Sequence, residues 1–263
     1  MTSPVPKHLR TDDEIALIDP ELREHVIDLV VDPVRVDLPA GPAHRAKFAP
    51  GLATQLVQIA GTESVGDPMA GSGMLAWETG LPHVGLNDLD RGLAPYLDPL
   101  AALGHEVTYG PASRVPWQRE AIITSPPYYP RTDRRKPNAH DDAKRGPVVG
   151  FRDSYNGDHP AFIGNPGGVN AILTYREQMT DVYGHLLLVA DRMIVVTKNW
   201  WRLGVELRLD LDTILMAEDV GWRCVERHGW EPPPSLWARY NSKRGGFPQI
   251  EDVLVFDRAE AAR

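Results

Sequence analysis

From about residue 50 onward, apolar positions fall alternately into helical and strand-like spacings. GLATQLVQIAG has helical spacing, SVGD closes a short strand, GMLAWETG is helical again and HVGLND is a strand. RGLAPYLDPLAALG reads as a helix despite its prolines, and HEVTYG and EAIITS as short strands. Further on, NAILTYREQMTDVYGHLLLVAD is an amphipathic helix and RMIVVTKN a buried strand; ELRLDLDTILMAEDVG reads as a helix stopped by its glycine. WRCVERHGW and EDVLVFD read as two last strands joined by a basic, aromatic connector. Strands alternating with helices imply an α/β fold with a doubly wound, mainly parallel sheet covered on both faces, to which the last pair adds an antiparallel edge hairpin.

Two stretches fall outside this rhythm. Residues 1–43 read as an amino-terminal appendage: ELREHVIDLVV has helix-like spacing of Leu22, Val26, Ile27 and Leu29, and VDPVRVDLPAGP is then broken by three prolines. Residues 129–168, rich in Gly, Pro, Asp and Arg, form an irregular insertion in an otherwise regular domain spanning 44–258.

Composition narrows the class without choosing a function. With 263 residues, 42% hydrophobic and 24% charged, the chain has the profile of a globular protein with one large core plus an appendage. The charge of 28 − 36 = −8 argues against indiscriminate coating of nucleic acid, but not against a local basic patch. Cys224 is the only cysteine, which excludes a disulfide framework and points to a reducing compartment, hence the cytoplasm. No run approaches the ~18 apolar residues of a membrane span, and the start MTSPVPKHLRTDDE has no apolar signal core. The nine histidines lack HxH or HxxxH spacing, so no metal site is expected.

Two segments carry chemistry. In SVGDPMAGSGML, residues 64 to 75, a strand ends at Asp67 and passes through Gly71 and Gly73 into a helix. Such a turn lets a ligand approach the backbone, although a plain strand-to-helix turn would look similar. The third glycine of the dinucleotide pattern GxGxxG is missing, which argues against a nicotinamide cofactor. In IITSPPYYP, residues 122 to 130, consecutive prolines donate no hydrogen bonds and force an extended backbone, leaving nearby carbonyls to accept from a ligand. Ser125 adds a polar group and Tyr128 a flat ring, together a receptor for a planar group with an amine on its edge, as in a nucleobase.

Taken together, DPMAGSG and TSPPYY resemble the cofactor loop (DPFxGxG) and catalytic motif ((S/N/D)PPY) of the S-adenosylmethionine-dependent amino-methyltransferases of DNA. AHRAKFAPGL, FIGNPGG and EDVLVF are similar to further segments of that family, so the resemblance spans roughly residues 44 to 257. It implies a class I, Rossmann-like methyltransferase fold with S-adenosylmethionine as cofactor. Lys47, Phe48, Asp67, Met69, Ala70, Gly71 and Gly73 would line that cofactor, and Asp88 would accept from its ribose, with Asn87 as the alternative register. Ser125, Pro126, Pro127 and Tyr128 would hold the target base. The family often has an acid near the adenine after the third strand; here GPAS, residues 110 to 113, leaves that contact to backbone or to other residues.

The serine form of the motif is most typical of N4-cytosine enzymes, so the implied activity is site-specific methylation of cytosine N4 in double-stranded DNA, on a flipped target base. N6-adenine methylation, an RNA amino-methyltransferase and a non-catalytic nucleic-acid-binding subunit are the alternatives, and a cognate restriction endonuclease is a possible partner. Methylation of cytosine carbon 5 needs a thiolate nucleophile, and Cys224 lies in an apolar strand remote from both motifs. Arg131, Arg134, Arg135, Lys136, Lys144 and Arg145, just after the catalytic motif, are expected to bind the DNA backbone. WEPPPSLWARYNSKRGG, which interleaves rings and charges, is a second candidate surface. Asn199, Trp200 and Trp201 follow a strand and so fall on the ligand-facing edge of the sheet, although a tryptophan pair is more often core packing.

Overall fold

The computed structural model describes residues 26–28, 35–37, 48, 51–127, 171–202, 205–230 and 251–259. In chain order the elements are β1 (Val26–Asp28), α1 (Leu52–Ala60), β2 (Val65–Asp67), α2 (Met74–Thr79), β3 (Gly85–Asp88), α3 (Ala94–Ala102), β4 (Glu106–Tyr109) and β5 (Ala121–Thr124). There follow α4 (Ala171–Val189), β6 (Arg192–Lys198), β7 (Trp200–Arg202), β8 (Val205–Leu207), α5 (Leu209–Asp219), β9 (Trp222–Trp230) and β10 (Glu251–Arg258). Among the described residues no helix is long and apolar enough to cross a membrane.

Eight strands form one sheet in the order β1-β9-β10-β6-β5-β2-β3-β4. The ladders joining β2, β3, β4, β5 and β6 are parallel, and β10 alone runs against both of its neighbours. This is the expected Rossmann-like, doubly wound sheet with an antiparallel pair, β9 and β10, near one edge. One strand lies beyond that pair. Val26–Asp28, whose spacing reads as helical in the sequence, instead pairs in parallel with Arg227, His228 and Gly229 of β9. Glu206 and Leu207, expected at the start of a helix, belong instead to Val205–Leu207, which pairs antiparallel with Trp200–Arg202 as a separate two-stranded hairpin, and α5 begins only at Leu209.

Apolar residues of the sheet divide between two cores. On one face Ile123, Ile194, Val196, Val253 and Val255 join Leu52 and Leu56 of α1, Leu75 of α2 and Leu97 and Leu100 of α3. On the other, Ile122, Met193, Val195, Leu254 and Phe256 join Met179, Tyr183 and Leu186 of α4 and Ile214 and Ala217 of α5. The β4–β5 connection has only a 3-10 turn, Ala112–Arg114, on this second face, and the Trp117 indole takes the place of a covering helix. It lies so close to the sheet that a Cβ on Gly66 or Gly85 would stand 2.6 or 2.8 Å from its ring carbons. Cys224 is buried in β9, as its apolar setting implies.

Candidate functional site

The chain runs outward from β2 through β3 to β4 on one side and from β5 to β6 on the other, so the strand order reverses between β2 and β5. Ligands of doubly wound sheets bind outside the carboxyl ends of the strands at such a reversal. Both motifs meet there: Asp67 is the last residue of β2, Thr124 the last of β5, and Ser125, Pro126 and Pro127 follow directly. The Thr124 hydroxyl donates to Asp67 Oδ1 at 2.8 Å, fastening the two strand ends across the switch point. Thr124 did not stand out in the sequence; its place immediately before the Ser-Pro-Pro run was the available signal.

The glycine-rich turn is held by backbone contacts on every side. Asp67 Oδ1 also accepts from Met69 N at 3.0 Å, Ala70 N donates to the Asn87 carbonyl at 2.8 Å and Gly73 N to the Ala70 carbonyl at 2.8 Å. Gly71 and Gly73 have φ of 56° and 74°, the left-handed region that disfavours other residues. A Cβ on Gly73 would also lie 2.6 Å from Leu100 Cδ1, so this glycine lets α2 start against α3.

Asn87 and Asp88 differ in their partners. Asn87 is buried and committed: its amide donates to the carbonyls of Pro68 at 2.9 Å and Gly110 at 2.8 Å, and its oxygen accepts from Thr108 Oγ1 at 2.9 Å. Asp88 ends β3 at the carboxyl edge of the sheet, accepting from Gly71 N at 2.8 Å and Asp90 N at 2.9 Å. Beyond β4, the Gly110 amide donates to the Asp88 carbonyl at 3.0 Å, and Tyr109, across the ladder from Asp88, donates its hydroxyl to Asp98 at 2.6 Å.

Two carboxyls therefore point into the switch-point region without a charged partner among the described residues. Burial raises the Asp67 carboxyl to about 7, against the opposing pull of its hydrogen bonds from Met69 and Thr124. Burial also raises Asp88, to about 6, against the amide donors of Asp90 and Gly71. Such groups are receptive to a cation or to hydroxyl donors, because pairing relieves part of a desolvation cost already incurred.

Of the other sequence-derived site residues, Met69 is half-buried and Ala70 buried within this loop, Pro126 is buried, and Ser125 and Pro127 are half-buried. Phe48 belongs to the apolar cluster that includes Leu52, Leu56 and Trp230. Lys47, Tyr128, Arg131, Arg134, Arg135, Lys136, Lys144, Arg145 and the 129–168 insertion lie outside the described residues, as does the stretch after Trp230 up to residue 250.

A different chemistry occupies the edge formed by β6, β9 and β10. Asp210, fully buried at the start of α5, accepts from Arg208 at 2.9 and 2.6 Å and from Arg227 at 2.8 Å. Arg227 also donates to Asp252 at 2.9 and 2.6 Å, Arg176 pairs with Asp212, and Lys198 lies 3.5 Å from Glu251. Asn199 ties into this knot through Asp252 at 3.4 Å and the Asp210 amide at 3.1 Å. The sequence did not reveal this network, whose members are scattered from residue 176 to residue 252.

No protein-family model matches the chain, and no curated protein matches it. Several solved structures are similar to the chain at low identity. The magnesium protoporphyrin IX methyltransferase of Synechocystis, with bound S-adenosylmethionine, is 12% identical, covering 79% of this chain and 76% of its own, with a TM-score of 0.45. A putative RNA methyltransferase from Pyrococcus horikoshii is 13% identical over 84% of this chain and 93% of its own, with a TM-score of 0.47. The [4+2]-cyclase SpnF is 10% identical over 87% and 89%, with a TM-score of 0.48.

Proposed function

We propose that this chain transfers a methyl group from S-adenosylmethionine to an exocyclic amine of a DNA base, cytosine N4 in the first instance. The observation that carries the reading is the meeting of the DPMAGSG and SPP motifs at the switch point, joined by the Asp67–Thr124 hydrogen bond. The residues fit the cofactor. Gly71 and Gly73 open the backbone to it, Asp67 offers a buried carboxylate to its cationic end, and Asp88 offers acceptors to its ribose.

When bound, S-adenosylmethionine supplies an electrophilic methyl on a sulfonium. The protein's part is orientation. Ser125 and the carbonyls of the Ser-Pro-Pro run accept hydrogen bonds from the amine, hold the base edge and draw the nitrogen lone pair toward the methyl; Tyr128 stacks on the base. The amine proton passes by way of these acceptors to water, and no covalent enzyme intermediate is needed. Arg131, Arg134, Arg135, Lys136, Lys144 and Arg145 are assigned to the phosphates of a duplex from which the base is flipped.

The test is incubation with labelled cofactor of unmethylated duplex DNA and, in parallel, of RNA, followed by digestion to nucleosides and mass spectrometry. N4-methylcytosine is expected. N6-methyladenine keeps the mechanism and changes the base. Labelled RNA with unlabelled DNA moves the activity to RNA, and cofactor binding without any transfer leaves a non-catalytic nucleic-acid-binding subunit.

A further inference from the structure

The strands that carry the two motifs stop pairing with each other before either motif begins. β5 stays in register with β6 to its last residue, Thr124 against Val195, but with β2 only as far as Ile122 against Gly66. Asp67 and Thr124 lie past that point. There a side chain takes over from the ladder: the Thr124 hydroxyl donates to Asp67 Oδ1 at 2.8 Å, and both residues are buried.

The same carboxylate oxygen accepts from Met69 N at 3.0 Å, inside the glycine-rich loop. One atom is therefore the common reference for the loop assigned to the cofactor and for the residue that leads into the Ser-Pro-Pro run. The run needs such a reference. Pro126 and Pro127 have no N–H with which to bond a neighbouring strand, so their placement is inherited from the chain before them. On the β6 side that chain is held by backbone pairing, and on the β2 side by the Thr124 hydroxyl.

We infer that Thr124 is a positioning residue for methyl transfer: through Asp67 it sets the Ser125-Pro126-Pro127 run at a fixed offset from the glycine-rich loop, so that the amine held by the run meets the methyl in line. The inference rests on the methylation reading above, and Thr124 itself is assigned no contact with either substrate. Misplacing reacting atoms by about 1 Å costs about a hundredfold in rate. Affinity for each ligand is less affected, because each is bound by groups on its own side of the Asp67–Thr124 bond.

Thr124→Val keeps the shape of the side chain and removes the donor, whereas Thr124→Ser keeps the donor; Thr124→Ala differs from Thr124→Ser by the hydroxyl alone and makes the same comparison should valine not fold. The full chain and its variants are compared at alkaline pH, above the range in which Asp67 takes up its proton. The readouts are single-turnover methylation of duplex DNA, cofactor and DNA affinity, and thermal melts. Thr124→Val and Thr124→Ala are expected to slow the single-turnover rate about 10–100-fold, with both affinities within about threefold of wild type. Thr124→Ser is expected to stay within about threefold of wild type in rate. An unchanged rate without the hydroxyl overturns the inference and leaves the methylation reading standing. So does a cofactor affinity that falls as far as the rate, which assigns the bond to the cofactor loop alone, and so does equal slowing in Thr124→Ser, which assigns the effect to packing. A wild-type chain that transfers no methyl to DNA fails the substrate reading itself and removes the inference with it.

Discussion

Replacing Asp67 with asparagine is expected to stabilise the ligand-free protein at neutral and alkaline pH. The carboxyl is 2% exposed, receives two hydrogen bonds at one oxygen, and is raised from 3.8 to about 7 chiefly by burial. Below pH 3.8 the group is protonated in both folded and unfolded chains and contributes nothing to the difference. Between 3.8 and about 7 the unfolded chain releases the proton while the folded one keeps it, so stability falls as pH rises. At about 1.4 kcal/mol per pH unit the loss reaches at most about 4 kcal/mol above pH 7. Asparagine has no such titration. Urea unfolding of both proteins across this range isolates the contribution, because Asp88, Glu251 and Asp252 titrate in both and largely cancel. The variant's advantage is expected to grow from near zero at acid pH and level off above neutrality. A difference that does not vary with pH refutes the reasoning, since it would mean that Asp67 is not held protonated by the fold. The same proton governs binding: if the ionised carboxylate receives a cationic cofactor, affinity weakens roughly thirtyfold between pH 8 and 5.5, and wild type, but not Asp67→Asn, releases a proton on binding near neutrality.

Two of the left-handed glycines, Gly73 and Gly61, make a matched pair. Gly61→Ala meets nothing within 4 Å and is expected to cost only about 1 kcal/mol of backbone strain. Gly73→Ala adds a 2.6 Å clash with Leu100, and is expected to lose about 2–4 kcal/mol and cofactor binding together, read by thermal melts and calorimetric titration. Asp210→Asn leaves Arg208 and Arg227 short of a buried counter-charge and is expected to destabilise by about 3–5 kcal/mol in urea unfolding. Tyr128→Ala is expected to cut turnover about 10–100-fold while leaving cofactor affinity as in wild type; equal loss of both would undo the stacking role.

What the sequence made legible depended on how local the signal was. The alternation of helices and strands from residue 50 to residue 125 is carried by each segment's own periodicity, and the sheet order follows from parallel connections. Three-residue strands carry no periodicity of their own. That is why Val26–Asp28 reads as part of a helix until β9 supplies its ladder. The run ELRLDLD alternates like a strand and continues like a helix; the chain divides it, with Glu206 and Leu207 in β8 and Leu209 onward in α5. The helix tolerates buried Asp210 and Asp212 because arginines from residues 176, 208 and 227 reach them, and no local rule places those partners. The glycine-rich loop was legible because Asp67, Gly71 and Gly73 lie within one short stretch of chain. The Thr124 bridge and the Trp117 cover over Gly66 and Gly85 come from pairing and packing between distant segments.

The two halves of the sheet's carboxyl edge use one ingredient, the buried carboxylate, in opposite ways. At β2 and β3, Asp67 and Asp88 are met by amides and a hydroxyl, with no cation among the described residues, and both are held well above the ordinary carboxylate range. At β9, β10 and α5, Asp210 and Asp252 are met by Arg208 and Arg227, and the pairing opposes the rise that burial gives Asp252. Neutralising an acid should therefore have opposite signs in the two places: relief at Asp67, where the described residues supply no counter-charge, and damage at Asp210, where they supply two. If a ligand brings the positive charge to Asp67 and Asp88, its binding relieves part of the desolvation cost that burial already imposes on them, whereas the paired carboxylates of the other half have no such relief to gain.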